Sequence, residues 1–217
     1  IMPSATATDS ALPPVHIIPM KGHVFQTFNN CGPATLSMAL SYFGITKSQE
    51  ELGGALRPYQ VKNGDNDDKS TSLDELASKA EEFNLLAYHR PAGDSQRLKQ
   101  FIAYDMPVVT VTWLKPNEDI GHYRLLRGYD DTQKVYIQDD SFQGKNLTYT
   151  YDEFNAIWEK FSYEYLVLVP KEKRSIAETI LADDLDEKSA WRHGVELSTQ
   201  QLEHDPGNIG YRFNLSV

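Results

Sequence analysis

The spacing of apolar side chains changes once along this 217-residue chain, and the change limits the folds open to it. In the first half they recur at helical intervals: Leu36, Ala39, Leu40 and Phe43, then Leu73, Leu76, Ala80 and Phe83. From Pro107 onward, short runs rich in β-branched and aromatic residues take over. Residues 107–113 predict a buried strand, 123–129 and 134–138 two strands joined by a turn at Asp130-Asp131, and 163–169 a last strand closed by Pro170. Helices first and antiparallel strands later is the α+β pattern.

Local signals set the boundaries of the elements. Gly44 ends the first helix, residues 48–56 predict a short second one, and Ser72-Leu73-Asp74-Glu75 is a capping box that starts a third. Residues 94–104 and 151–158 predict two more helices, and 15–19 an edge strand or extended arm that Pro19 closes. Residues 1–14 carry few large side chains and predict a flexible leader. The acidic spacing of residues 63–69 invites comparison with a calcium loop. Their glycine precedes the acids and no helix leads in, so a solvated loop is expected and no metal. The parts are then a leader (1–14), a main domain (15–170) and a charged helical extension (171–217), broken at Asp205-Pro206-Gly207-Asn208.

A net charge of −10 excludes a general nucleic-acid binder, which needs a basic face. No run reaches 18 apolar residues, so no membrane span is expected. No Gly-rich loop leads into Lys-Ser or Lys-Thr, and no cofactor is expected. The chain opens on Ile1 rather than Met, as a processed terminus would.

Cys31 is the single cysteine, so packing and reactivity are the uses left to it. It stands at a predicted helix start, where unpaired N–H groups and the helix dipole favour a thiolate, and Pro33 is tolerated in such a first turn. A cysteine nucleophile needs a base, a group that orients the base, and donors for the developing oxyanion. Of six histidines, His193 and His204 lie on the charged extension and are expected to face solvent, while His16 sits in the arm and His89 in a loop. His23 is near Cys31 in sequence with nothing to orient it. His122 is the best placed, at the start of a buried strand. The end of the next strand returns to that start, which brings Asp139 near His122. Gln26, five residues before Cys31, can donate beside the Cys31 N–H.

Residues 26–34 (Gln-Thr-Phe-Asn-Asn-Cys-Gly-Pro-Ala), Gly121-His122-Tyr123, Gly128-Tyr129-Asp130-Asp131 and 135–139 together resemble the papain-like cysteine peptidases of the bacteriocin-processing, double-glycine leader type. The resemblance spans about residues 15–169. It implies a papain-like fold, Cys31 as nucleophile, His122 as general base and acid, Asp139 as orienting residue and Gln26 as oxyanion donor. The family often has Asp-Pro where this chain has Asp139-Asp140; Asp139 is the residue that aligns. With no transporter segments in the sequence, the chain looks like the stand-alone relatives, and a bacterial, extracytoplasmic location is favoured over the cytoplasm. Residues 205–215 also resemble a junction between tetratricopeptide repeats, which implies further helical repeats and a protein partner on the extension.

The leading expectation is a thiol hydrolase that cleaves peptide or related amide bonds through a thioester. The alternatives are a peptide-binding scaffold that keeps a peptidase-like groove without cutting, and a transferase in which an amine or thiol resolves the thioester.

Overall fold

The computed structural model describes residues 12–58 and 70–216. The polar loop at 63–69 and most of the leader lie outside the described residues. The chain runs β1 (Val15–Ile17), α1 (Cys31–Tyr42), α2 (Gln49–Leu56), α3 (Leu73–Glu81), β2 (Leu86–Arg90), α4 (Ser95–Ala103), β3 (Val108–Lys115), β4 (Glu118–Asp130), β5 (Val135–Asp140), β6 (Gly144–Thr150), α5 (Tyr151–Trp158), β7 (Tyr165–Val169), α6 (Arg174–Leu181), α7 (Glu187–His204) and α8 (Ile209–Asn214). The strands form one antiparallel sheet in the order β2-β7-β3-β4-β5-β6, with β1 paired to the far end of β4.

The helices begin where side chains can hold their unpaired first N–H groups. Ser48, Ser72 and Thr150 each close a capping box, with Glu51, Glu75 and Glu153, and Asp94 caps α4 through the Arg97 N–H. Gly44, at φ +78°, lets the chain leave α1 in the left-handed conformation that other residues avoid.

A core lies on each face of the sheet. On one face α1 and α3 bury Leu36, Leu40, Leu73 and Leu76 against Val109, Leu125 and Leu166. On the other, α4, α5 and α6 bury Phe101, Phe154, Trp158 and Leu181 against Val108, Tyr129, Tyr136 and Tyr165. Alternation along the strands sends successive side chains to opposite cores. The main core therefore continues past Pro170, since Ala177 and Leu181 of α6 are wholly buried in it.

Two strands escape the sequence pattern. Among the described residues β6 is an edge strand that pairs only with β5, and it carries exposed polar residues at Lys145 and Asn146. β2 holds His89, expected in a loop, yet the residue pairs with Leu166 of β7 and is 8% exposed. Its polar residues are buried because each meets a charged or carbonyl partner. His89 Nδ1 lies 2.5 Å from Asp74 Oδ1 and Nε2 lies 2.9 Å from Glu164 Oε2, while Arg90 donates to the carbonyls of Asp184 and Leu185. The Trp191 ring of α7 packs edge-on against the His89 ring. His193, expected to face solvent, binds Asp184, which also takes Arg97 at 2.5 Å. Helices α7 and α8 pack together as a hairpin across the turn at 205–208.

Burial pulls the His89 pKa down, but its two carboxylate partners outweigh burial and hold it above the ordinary 6.5. A pKa raised by folding gives stability that is complete below the unfolded value and lost as pH rises through the folded one. In urea unfolding, His89→Gln is therefore expected to cost most near pH 6, and the difference from wild type should shrink as pH rises toward 9. An equal cost at both pH values would mean that the ring is uncharged in the fold.

Candidate active site

The site forms where the start of α1 faces β4 and the end of β5. Cys31 is the first residue of α1, and the side chain of the N-cap residue Asn30 does not cap that turn. The preceding residue, Asn30, instead turns its amide into α2, giving Nδ2 to Gln49 Oε1 at 2.9 Å and accepting from Arg57 at 2.6 Å. Gln49 also accepts the Thr27 N–H at 2.8 Å and donates to the Phe25 carbonyl at 2.9 Å. One buried side chain thus fixes the loop from Phe25 to Asn30. Within it Asn29 takes a positive φ of 51°. Gly32 is required by packing, because a Cβ there would stand 2.2 Å from Thr71 Oγ1 and 3.3 Å from the Tyr123 ring.

His122 lies on β4 opposite Thr112 and is 3% exposed. Its Nε2 is 2.9 Å from Asp140 Oδ1, and its ring is close enough to the Cys31 sulfur for the sulfur to bias its protonation. Asp140 is wholly buried and fully partnered. Oδ1 also accepts the N–H groups of Phe142 at 2.7 Å and Gln143 at 2.8 Å, and Oδ2 takes Arg124 Nη1 at 2.5 Å. Burial lowers the proton affinity of His122, but Asp140 and Cys31 together raise its pKa above the ordinary value. Burial pushes Asp140 up, and His122, Arg124 and the backbone donors overcome it, leaving the carboxyl below its usual range.

Asp139, expected to orient His122, does not reach it. Its carboxylate binds Arg127 at 3.1 Å and the Asn146 N–H at 2.8 Å. The strand register separates the two aspartates. Asp140 pairs with Arg124, two residues from His122 and on the same face, whereas Asp139 pairs with Leu125 on the other face. A displacement of one residue along a strand reverses the face.

Gln26 lines the same cleft, and its orientation is fixed by Ser141. Ser141 Oγ donates to Gln26 Oε1 at 2.8 Å, and the Gln26 N–H donates to the Ser141 carbonyl at 2.8 Å. The amide oxygen is thereby occupied, and the –NH₂ end is left for the cleft. His23 holds the Asp140 carbonyl at 2.9 Å rather than meeting Cys31, and His16 pairs with Asp105. His204, the last residue of α7, is exposed as expected. The cleft, of about 640 Å³, runs from Gln26, Asn29 and Cys31 to an apolar wall of Val111, Leu114, Ile120, Phe142 and Phe161.

Gln49, Ser141 and Arg124 were not singled out from the sequence. Arg124 alone carries a signal, a cation in a strand that continues Leu125-Leu126. Gln49 and Ser141 act through contacts with residues 22 and 115 positions away, and no local pattern marks them.

The Peptidase_C39 like family matches the chain over residues 16–166. The chain belongs to this family. Solved structures share its fold. One, from Bacillus anthracis and assigned as a C39-like peptidase, is 18% identical with a TM-score of 0.57, over 72% of this chain and 98% of that one. Xylellain, a cysteine protease from Xylella fastidiosa, is 12% identical with a TM-score of 0.56, over 74% and 87%. A double glycine motif protease from an AMS/PCAT transporter, in complex with the leader peptide, is 18% identical with a TM-score of 0.50, over 72% and 95%. No curated protein matches the sequence. The papain-like α+β fold expected from the family resemblance is the fold found.

The loop carrying Gln26 to Asn30 depends on Gln49, so Gln49→Leu should leave the Thr27 N–H and the Asn30 amide without their acceptor. Unpairing buried donors costs on the order of 2 kcal/mol. Urea unfolding should show a loss of that size, with faster proteolytic nicking between residues 25 and 30.

Proposed function

We propose that the protein is a cysteine peptidase in which Cys31 is the nucleophile, His122 the general acid and base, Asp140 the orienting group and Gln26 an oxyanion donor. The observation that carries the reading is the His122 ring, held at Nε2 by a buried carboxylate, with its other nitrogen left for a sulfur at the start of a helix. This is the constellation that thiol acyl transfer requires.

In the proposed reaction the Cys31 sulfur, its proton held by His122, adds to the carbonyl carbon of a peptide bond. The carbonyl π pair moves to oxygen, where the Gln26 amide and the Cys31 N–H stabilise the charge. As the intermediate collapses the C–N bond breaks, and His122 gives its proton to the leaving amine. Water then adds to the thioester, losing a proton to His122, and the C–S bond breaks to release the acid and regenerate the ion pair. Asp140 keeps the ring in one orientation and stabilises its charged form throughout. A site used only to hold peptides has no chemical need for a buried carboxylate behind the imidazole.

Incubation with a peptide library, read by mass spectrometry, should show cleavage by wild type and none by Cys31→Ala or His122→Ala, with the circular dichroism of all three alike. Cleavage that survives Cys31→Ala would exclude the reading.

The two aspartates separate in the same assay. Asp140→Asn should lower kcat/KM by roughly 10³-fold or more, while Asp139→Asn stays within about tenfold, since that carboxylate does not meet the ring. With His122 raised, the alkaline fall of kcat/KM, where the ring loses its proton, should lie above pH 6.5 in wild type. Loss of the Asp140 charge removes what holds that proton, so in Asp140→Asn the fall moves to lower pH.

A further inference from the structure

The carboxylate behind His122 has a second cationic partner that the reaction proposed above does not use. Arg124 is wholly buried on β4, two residues beyond His122. Its guanidinium is spent in three directions: Nη1 on Asp140 Oδ2 at 2.5 Å, Nε on Thr112 Oγ1 at 2.9 Å, and Nη2 on the Leu114 carbonyl. The Tyr149 ring of β6 lies beneath it at 5.0 Å. A buried arginine is costly unless every donor is matched. The arrangement divides the two carboxylate oxygens, one to His122 and one to Arg124.

We propose that Arg124 is a positioning residue of this site: it fixes Asp140 so that Oδ1 faces the imidazole, and its charge limits how tightly His122 keeps its proton. The inference rests on the peptidase reading above and deepens it. An imidazolium facing an undivided carboxylate would surrender its proton reluctantly to a leaving amine. A fixed cation on the far oxygen takes part of that carboxylate field and returns the ring toward a pKa suited to both halves of the cycle. The other groups that face this cluster are Cys31 from α1, His23 on the Asp140 carbonyl, and the Gln143 side chain near Arg124. The Arg127–Asp139 pair and Tyr123, whose hydroxyl binds the Thr71 carbonyl, complete the surroundings.

The test is the NMR titration of the His122 ring C–H, assigned by its absence in His122→Ala, with the His23 signal followed separately. Arg124→Met and Arg124→Gln remove the charge, and the midpoint should rise by about one pH unit. Arg124→Lys retains the charge and should keep the midpoint within about 0.3 unit of wild type. The rise is opposite to the fall expected for Asp140→Asn, a difference that a purely structural role for Arg124 does not produce. Unchanged midpoints in the neutral variants would overturn the proposal. If neither neutral variant folds, the Lys variant decides, and a midpoint displaced despite the retained charge overturns it. Failure of the peptidase reading is distinguishable, because it appears as Cys31 alkylation by iodoacetamide that is indifferent to His122→Ala whatever stands at position 124.

Discussion

The ionised carboxylate of Asp140, buried without contact with solvent, is the constraint around which the site is built. A charge in that position is tolerated only when hydrogen-bond donors replace the water it has lost. The fold supplies an imidazole, a guanidinium and two backbone N–H groups. Each requirement fixes a different part of the chain. The backbone donors hold the bend after β5, and the two side chains come from one face of β4. The same bend presents Ser141, which orients Gln26, and the Asp140 carbonyl, which His23 holds. His122 and Gln26 are thus both held through the segment that carries one buried group, and the Cys31 sulfur faces the ring.

The opposite wall of the cleft depends on buried polar contacts of another kind. Gln49 uses both ends of its amide to tie the loop before Cys31 to α2. On the far side His89 joins Asp74, three residues after the cleft residue Thr71, to Glu164, three residues after the cleft residue Phe161. Apolar cores place the sheet between its helices. These polar ties then fix the loops that the cores do not reach, because directional bonds specify geometry that hydrophobic burial leaves open.

Much of the fold was legible because its signals are local. The capping box at Ser72 and Glu75, the left-handed exit at Gly44 and the β-branched run at Val108 to Thr112 each act within a few residues of themselves. β2 and β6 were not legible. One is polar because its partners are distant charges, and the other because it is an exposed edge, so neither shows the apolar alternation that marks a strand. The continuation of the core into α6 was hidden for a similar reason, since Leu181 packs into a core supplied by α4 and the sheet, far from it in sequence.

For the site, the sequence by itself determined the residue types and their order: a lone cysteine at a helix start, a glutamine before it, a histidine on a strand and an aspartate closing the next. It also determined that the last two would meet, because antiparallel strands joined by a turn return to their origin. Which aspartate faces the imidazole was decided only in three dimensions. The two alternatives differ by one residue, hence by one face of the sheet, and the choice is set by a bulge between Leu126 and Gly128 that shifts the pairing of β4 with β5. The burial of Arg124 beside that aspartate, and so the electrostatic setting of the site, follows from the same register.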